Sequence, residues 1–82
     1  MSGAEATQLR ELAERIYIDA VPADEVLQQL GGYTNADGVM ADTVHFLFHF
    51  VADADLRAKD ERYGLEQRRH LQALIDLLKT LE

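Results

Sequence analysis

Apolar residues recur along most of this 82-residue chain at three- and four-residue spacing, the period of a helix with one buried face. Leu9, Leu12, Ala13, Ile16 and Ala20 form the first such stripe, with Arg10, Glu11, Glu14, Arg15 and Asp19 opposite. Ser2-Gly3-Ala4-Glu5 has the form of a capping box, so a helix is predicted over about 4–20. Tyr17 and Ile18 flank the stripe and predict a contact on a second side near the helix end. Pro22 ends that helix and suits the first turn of a short one over about 22–30, where Asp24 and Glu25 favour the N-terminus and Val26, Leu27 and Leu30 form an apolar side. Gly31-Gly32 stops it, and 31–38, rich in turn formers, reads as a loop from which Tyr33 docks on the core. Thr34, Asn35 and Asp37 each suit the cap of the next helix.

The central stretch Val39–Leu56 carries all three phenylalanines and two of the three histidines. By propensity its TVHFLFHFV core would also serve as a strand. No other segment offers a strand to pair with it, and an unpaired strand leaves its backbone bonds unmade. With helix formers on its flanks and no Gly or Pro from Val39 to Tyr63, a helix over about 36–56 is predicted. The chain is expected to turn between Asp53-Ala54-Asp55 and Asp60-Glu61, with Asp55 or Asp60 capping a last helix over about 61–81. That helix buries Tyr63, Gln67, Leu71, Leu74, Ile75, Leu78 and Leu81, and Gly64 weakens it by roughly 1 kcal/mol relative to alanine. The fold class is all-α: a single domain, 1–82, built as a small bundle of three substantial helices and one short helix with antiparallel neighbours.

Projected at about 100° per residue, the central helix splits in two. Phe46, Phe50, Ala54, Leu47, Met40, Val51, Val44 and Phe48 sweep an apolar arc of about 200°, wide enough to be covered on more than one side. Either the other helices wrap it, or a second subunit does, which makes a homodimer one expectation and Phe48, at the edge of the arc, a candidate interaction residue.

Asp42, His45, His49 and Asp53 fill the remaining narrow stripe. Two imidazoles one turn apart flanked by carboxylates can bind a divalent transition metal, with a further ligand from His70 or Glu66. The plainer reading, carboxylates pairing with histidines on a solvated face, is preferred, and no cofactor is expected.

Charge narrows the partners. Fifteen acidic against eight basic residues give a formal net charge of −7, which disfavours nucleic acid and acidic membrane surfaces and suits a basic protein partner. Arg57, Lys59, Arg62, Arg68 and Arg69 gather in the second half but alternate with Asp55, Asp60, Glu61 and Glu66, the pattern of a salt-bridged surface. No apolar run approaches the length of a membrane span, and the N-terminal residues lack the basic-then-apolar order of a signal peptide, so a cytoplasmic protein is expected.

Enzymatic signals are weak. Without cysteine there is no thiolate ligand or cysteine nucleophile, and the single serine, Ser2, sits at the chain's start. Gly31-Gly32 lacks the strand, Lys and Ser/Thr of a phosphate loop, and Asp53 and Asp55 are not followed by a calcium-loop pattern. Glu11 and Glu14 form an ExxE pair, and over a handful of positions the central helix resembles the second metal-binding helix of the MazG-related nucleotide pyrophosphohydrolases, which implies acids facing Mg²⁺. The pattern departs at Val39, three residues before Asp42, where that family carries another acid, and no basic phosphate-binding set accompanies it. The expectation is therefore a protein-binding or regulatory module of the immunity, antitoxin, inhibitor or accessory-subunit type, with a helical metalloprotein and a structural homo-oligomer as the alternatives.

Overall fold

The computed structural model describes residues 3–18, 20–33 and 36–81. Five α-helices follow one another: α1 (Gly3–Tyr17), α2 (Ala23–Leu30), α3 (Gly38–Ala52), α4 (Ala54–Lys59) and α5 (Glu61–Lys79), with a 3-10 turn, Gly31–Tyr33, after α2. Helix α5 packs against α1, α3 and α4, while α2 lies on α3. Asp53 meets Tyr63 and Phe46 meets His70, so α3 and α5 run in opposite directions. The all-α bundle is thus the observed architecture, and among the described residues no helix is long and apolar enough to cross a membrane.

The stripes define the core. Leu9, Leu12, Ala13 and Ile16 of α1, Val26 and Leu30 of α2, Met40, Leu47 and Phe50 of α3, and Leu71, Ile75 and Leu78 of α5 form one buried cluster. On α3 the middle of the apolar arc is buried, Phe46, Val44 and Val51 are partly covered, and Phe48 at its edge stays 41% exposed. Thr43 also lies inside, its hydroxyl satisfied by donating to the Val39 carbonyl one turn back at 2.7 Å.

Several details depart from the periodic reading. Helix α1 ends at Tyr17; that side chain packs on the core, whereas Ile18 turns outward and is 69% exposed. Leu27 and Leu81 are also exposed rather than buried. Pro22 serves as the N-cap of α2 instead of its first residue. Asp37 occupies the N-cap position of α3 without a side-chain cap bond, and Gly38 begins that helix at φ +57°, a conformation glycine adopts without a Cβ penalty. Ser2, Asp19, Thr34 and Asn35 lie outside the described residues.

The central helix also breaks sooner than its composition suggests. Asp53 leaves the helical region at φ −91°, ψ 13°, and 54–59 form a separate helix, α4, before Asp60 caps α5 by accepting from the Tyr63 amide at 3.2 Å. Gly64 faces this junction, buried against Arg57, and a Cβ added there would meet the Arg57 side chain at 3.7 Å, an ordinary contact. Gly64→Ala is therefore expected to stabilise the fold by about 0.5–1 kcal/mol, because helix propensity and unfolded-chain entropy both favour alanine. Thermal unfolding checks it: Tm should rise by roughly 2–8 °C.

Candidate functional site

Two surfaces bring the sequence-predicted site residues into view, one on either side of His45. The first is a cleft of about 480 Å³ between α3 and α5, lined by Asp42, His45, Phe46, His49 and Asp53 from one wall and Tyr63, Gln67, His70 and Leu74 from the other. The whole polar stripe of α3 borders it, but its members have different roles. His45 and His49 are exposed, with Nε2 atoms 3.1 Å apart and rings edge to face at 4.6 Å between centroids. Asp42 is exposed beside them. Asp53 is drawn into the protein, its Oδ2 accepting from the Tyr63 hydroxyl at 2.7 Å and from the Gln67 amide at 3.0 Å. His70 lays its ring against Phe46, centroids 4.3 Å apart, and Glu66 is exposed outside the cleft lining. Among the described residues, no group of three or more His, Asp or Glu side chains is arranged to hold a metal ion.

Asp53 belongs to a structural network that the spacing of residues did not reveal. Buried Gln67 donates to Asp53 and accepts at Oε1 from the Arg57 guanidinium at 2.9 Å. The same guanidinium donates to the Phe50 carbonyl and lies over the Phe50 ring, 3.6 Å from its centroid. One side chain thus satisfies a carbonyl near the end of α3 and a buried amide on α5. The i,i+4 relation of Tyr63 and Gln67 marked them as neighbours, but nothing local pointed them at Asp53.

The Tyr63 hydroxyl titrates above the ordinary value of 10.0, first because it donates to Asp53 and then because of burial and the Asp53 charge, partly offset by Arg57. A pKa raised by folding supplies stability that is complete below the unfolded value near 10 and disappears as pH climbs through the folded value. Tyrosinate absorbance against pH should show a phenol titrating late, and Tyr63→Phe should remove that component along with its share of the alkaline loss of stability.

The second surface surrounds Phe48. With Tyr33, Ala36, Ala41, Val44 and His45 it lines a shallow groove of about 250 Å³. Tyr33 and Ala36 also line a second hollow of about 380 Å³ with Glu5, Gln8 and Gly32, and the two hollows that share these residues, one reaching Glu5 on α1 and the other Phe48 on α3, are together called the trough. Tyr33 has its hydroxyl pKa raised by burial and by the nearby Glu5 carboxylate. Phe48 was legible as the edge of the arc; its neighbours come from the 3-10 turn and the loop, where no periodicity points to them.

Charge along the chain is one-sided, and the residues lining the trough all belong to the acidic part. Residues 1–56 hold ten acidic and two basic side chains, whereas 57–82 hold five acidic and six basic. Glu5, Glu11, Asp24, Glu25, Asp37 and Asp42 are all exposed on the acidic part.

The ExxE pair lies elsewhere. Glu11 and Glu14 line a groove between α1 and α5 with Arg15, Ile18 and Lys79, and Glu14 pairs with Arg10. Asp42 borders the separate α3–α5 cleft, so the structure does not gather these acids in one concavity. Compared with known proteins, the sequence matches no family model, and neither curated proteins nor solved structures give a significant match.

Proposed function

We propose that the protein is an acidic binding module that docks a basic, amphipathic segment of another protein in the trough between Glu5 and Phe48. The observation that carries this reading is the coincidence of an exposed phenylalanine lining a concave surface with the strongly acidic half of the chain. An aromatic anchor desolvated in a small groove supplies affinity, and the surrounding carboxylates steer a basic partner and set its orientation. Such a module works by occupying its partner, as immunity proteins, antitoxins, inhibitors and accessory subunits do, and no catalytic step is assigned to the chain itself.

The test is capture by the full chain at low and high salt, repeated with Phe48→Asp. The reading expects a basic partner that is retained at low salt, released as salt screens the acidic face, and bound about tenfold or more weakly by the variant. Phe48 projects into solvent, so the variant should keep the wild-type helical signal. Failure to retain any partner, or retention unaffected by Phe48→Asp, contradicts it. Light scattering covers the rival occupant: a doubled mass that Phe48→Asp returns to monomer would make the trough an interface between two copies.

A further inference from the structure

We infer that His45 and His49 form a two-histidine binding site for a divalent transition metal on the outer face of α3. His45 also borders the Phe48 groove, and the titration below uses the chain alone, so its outcome does not depend on what occupies the trough. The argument starts with geometry. Residues four apart on a helix stand one above the other, and here the two Nε2 atoms, the ring nitrogens farthest from the backbone, approach to 3.1 Å. With metal–nitrogen bonds of about 2.0–2.1 Å, nitrogens 3.1 Å apart subtend roughly 95–102° at the ion. That angle lies between those of tetragonal and tetrahedral coordination, and rotation of the two exposed rings would turn their Nε2 lone pairs from one another toward the ion. In the metal-free pair one Nε2 donates to the other; with a metal, both rings would carry their proton on Nδ1 and direct an Nε2 lone pair to the ion.

The surroundings decide the remaining ligands. Asp53 is occupied by Tyr63 and Gln67, and His70 is stacked on Phe46, so neither is available without breaking a packed contact. Asp42, exposed three residues before His45, is the one nearby carboxylate on the stripe that the Asp53 network does not engage. The protein therefore offers a bidentate imidazole chelate with most positions left to water or to an incoming group. Imidazole ligands in this number favour Cu²⁺ over Ni²⁺ and Zn²⁺, following the usual order of divalent stabilities, and discriminate against Mg²⁺ and Ca²⁺, which prefer oxygen.

The experiment adds Cu²⁺, Ni²⁺ or Zn²⁺ separately to the chelator-treated full chain at neutral pH, following heat of binding and thermal unfolding. One ion per chain should bind, Cu²⁺ most tightly, and Tm should rise by about 10–20 °C at a hundredfold excess over the dissociation constant. His45→Ala and His49→Ala should each weaken binding by about tenfold or more through loss of the chelate, the double variant should abolish it, and His70→Ala should bind as the wild type does. Both rings are exposed, so the variants should retain the wild-type circular dichroism spectrum. Absence of binding by the wild type, binding that survives in the double variant, or single variants that bind as tightly as the wild type would each overturn the assignment.

Discussion

Phe50→Ala is expected to lower the unfolding free energy by about 3–5 kcal/mol, the range for truncating a fully buried aromatic side chain. A domain of this size has only about 4–12 kcal/mol to lose, so the variant gives up about a quarter or more of its stability. Phe50 is 1% exposed, sits in the central cluster and supports the Arg57 guanidinium on its ring face. Truncation therefore opens a cavity beside Ile16 of α1 and Val26 of α2 and removes a platform that orders the α3–α4 junction. Urea unfolding followed by circular dichroism measures it: the midpoint should fall by about a quarter or more, with Phe50→Leu losing markedly less. A midpoint within experimental error of the wild type would contradict the placement of Phe50 at the centre of the core.

Arg57→Ala should cost about 2–3 kcal/mol, an unusually large effect for an arginine that remains partly exposed. The stacking on Phe50 contributes about 0.5–2 kcal/mol, and leaving the buried Gln67 carbonyl without its donor adds about 1–3 kcal/mol, with overlap between the two. Arg57→Lys should recover only part of the loss, because an ammonium cannot present a planar face to the ring while reaching two carbonyl oxygens. A double-mutant cycle between Arg57 and Phe50 should return a coupling of about 1 kcal/mol. Additive effects would show that the guanidinium and the ring act separately.

The balance between these two residues also shows how much of the molecule could be read in advance. The buried stripes of α1 and α5 follow directly from helical spacing, and the split of α3 into an apolar arc and a polar stripe holds from Met40 to Val51, where the angle between successive residues decides it, while Ala54 and Asp53 fall beyond the end of the helix and leave it. The placements of Ile18 and Leu27 were less legible. Apolarity states that a side chain can be buried, but coverage depends on whether another helix lies opposite, and none covers these positions. The break at Asp53 falls at the start of the expected turn, but the separate helix α4 that follows it was hidden for a related reason. Local propensity favours continuing the helix through 52–59, and the groups that stabilise the break, Arg57 on the Phe50 carbonyl and Tyr63 and Gln67 on Asp53, are brought together by the packing of α5.

The candidate sites divide in the same way. Asp42, His45 and His49 share a face because of their spacing, and the structure adds the 3.1 Å separation of the two Nε2 atoms on which the proposed metal site rests. Asp53 shares that spacing but is drawn toward α5, which separates a structural carboxylate from an exposed stripe. The trough around Phe48 could be anticipated only at its edge. Tyr33 and Ala36 reach it from the segment joining α2 to α3, and the position of such a segment is set by the helices it joins.

Amide chemical-shift mapping of the isotope-labelled chain, titrated with the partner captured at low salt, tests the central claim most directly. The account predicts that the largest shifts fall on Glu5, Gln8, Tyr33, Ala36, Ala41, Val44 and Phe48, weaken together as salt is added, and leave the outer face of α5 unmoved. Shifts concentrated on Leu65, Arg69 and Leu77 of α5, with the trough silent, would contradict it.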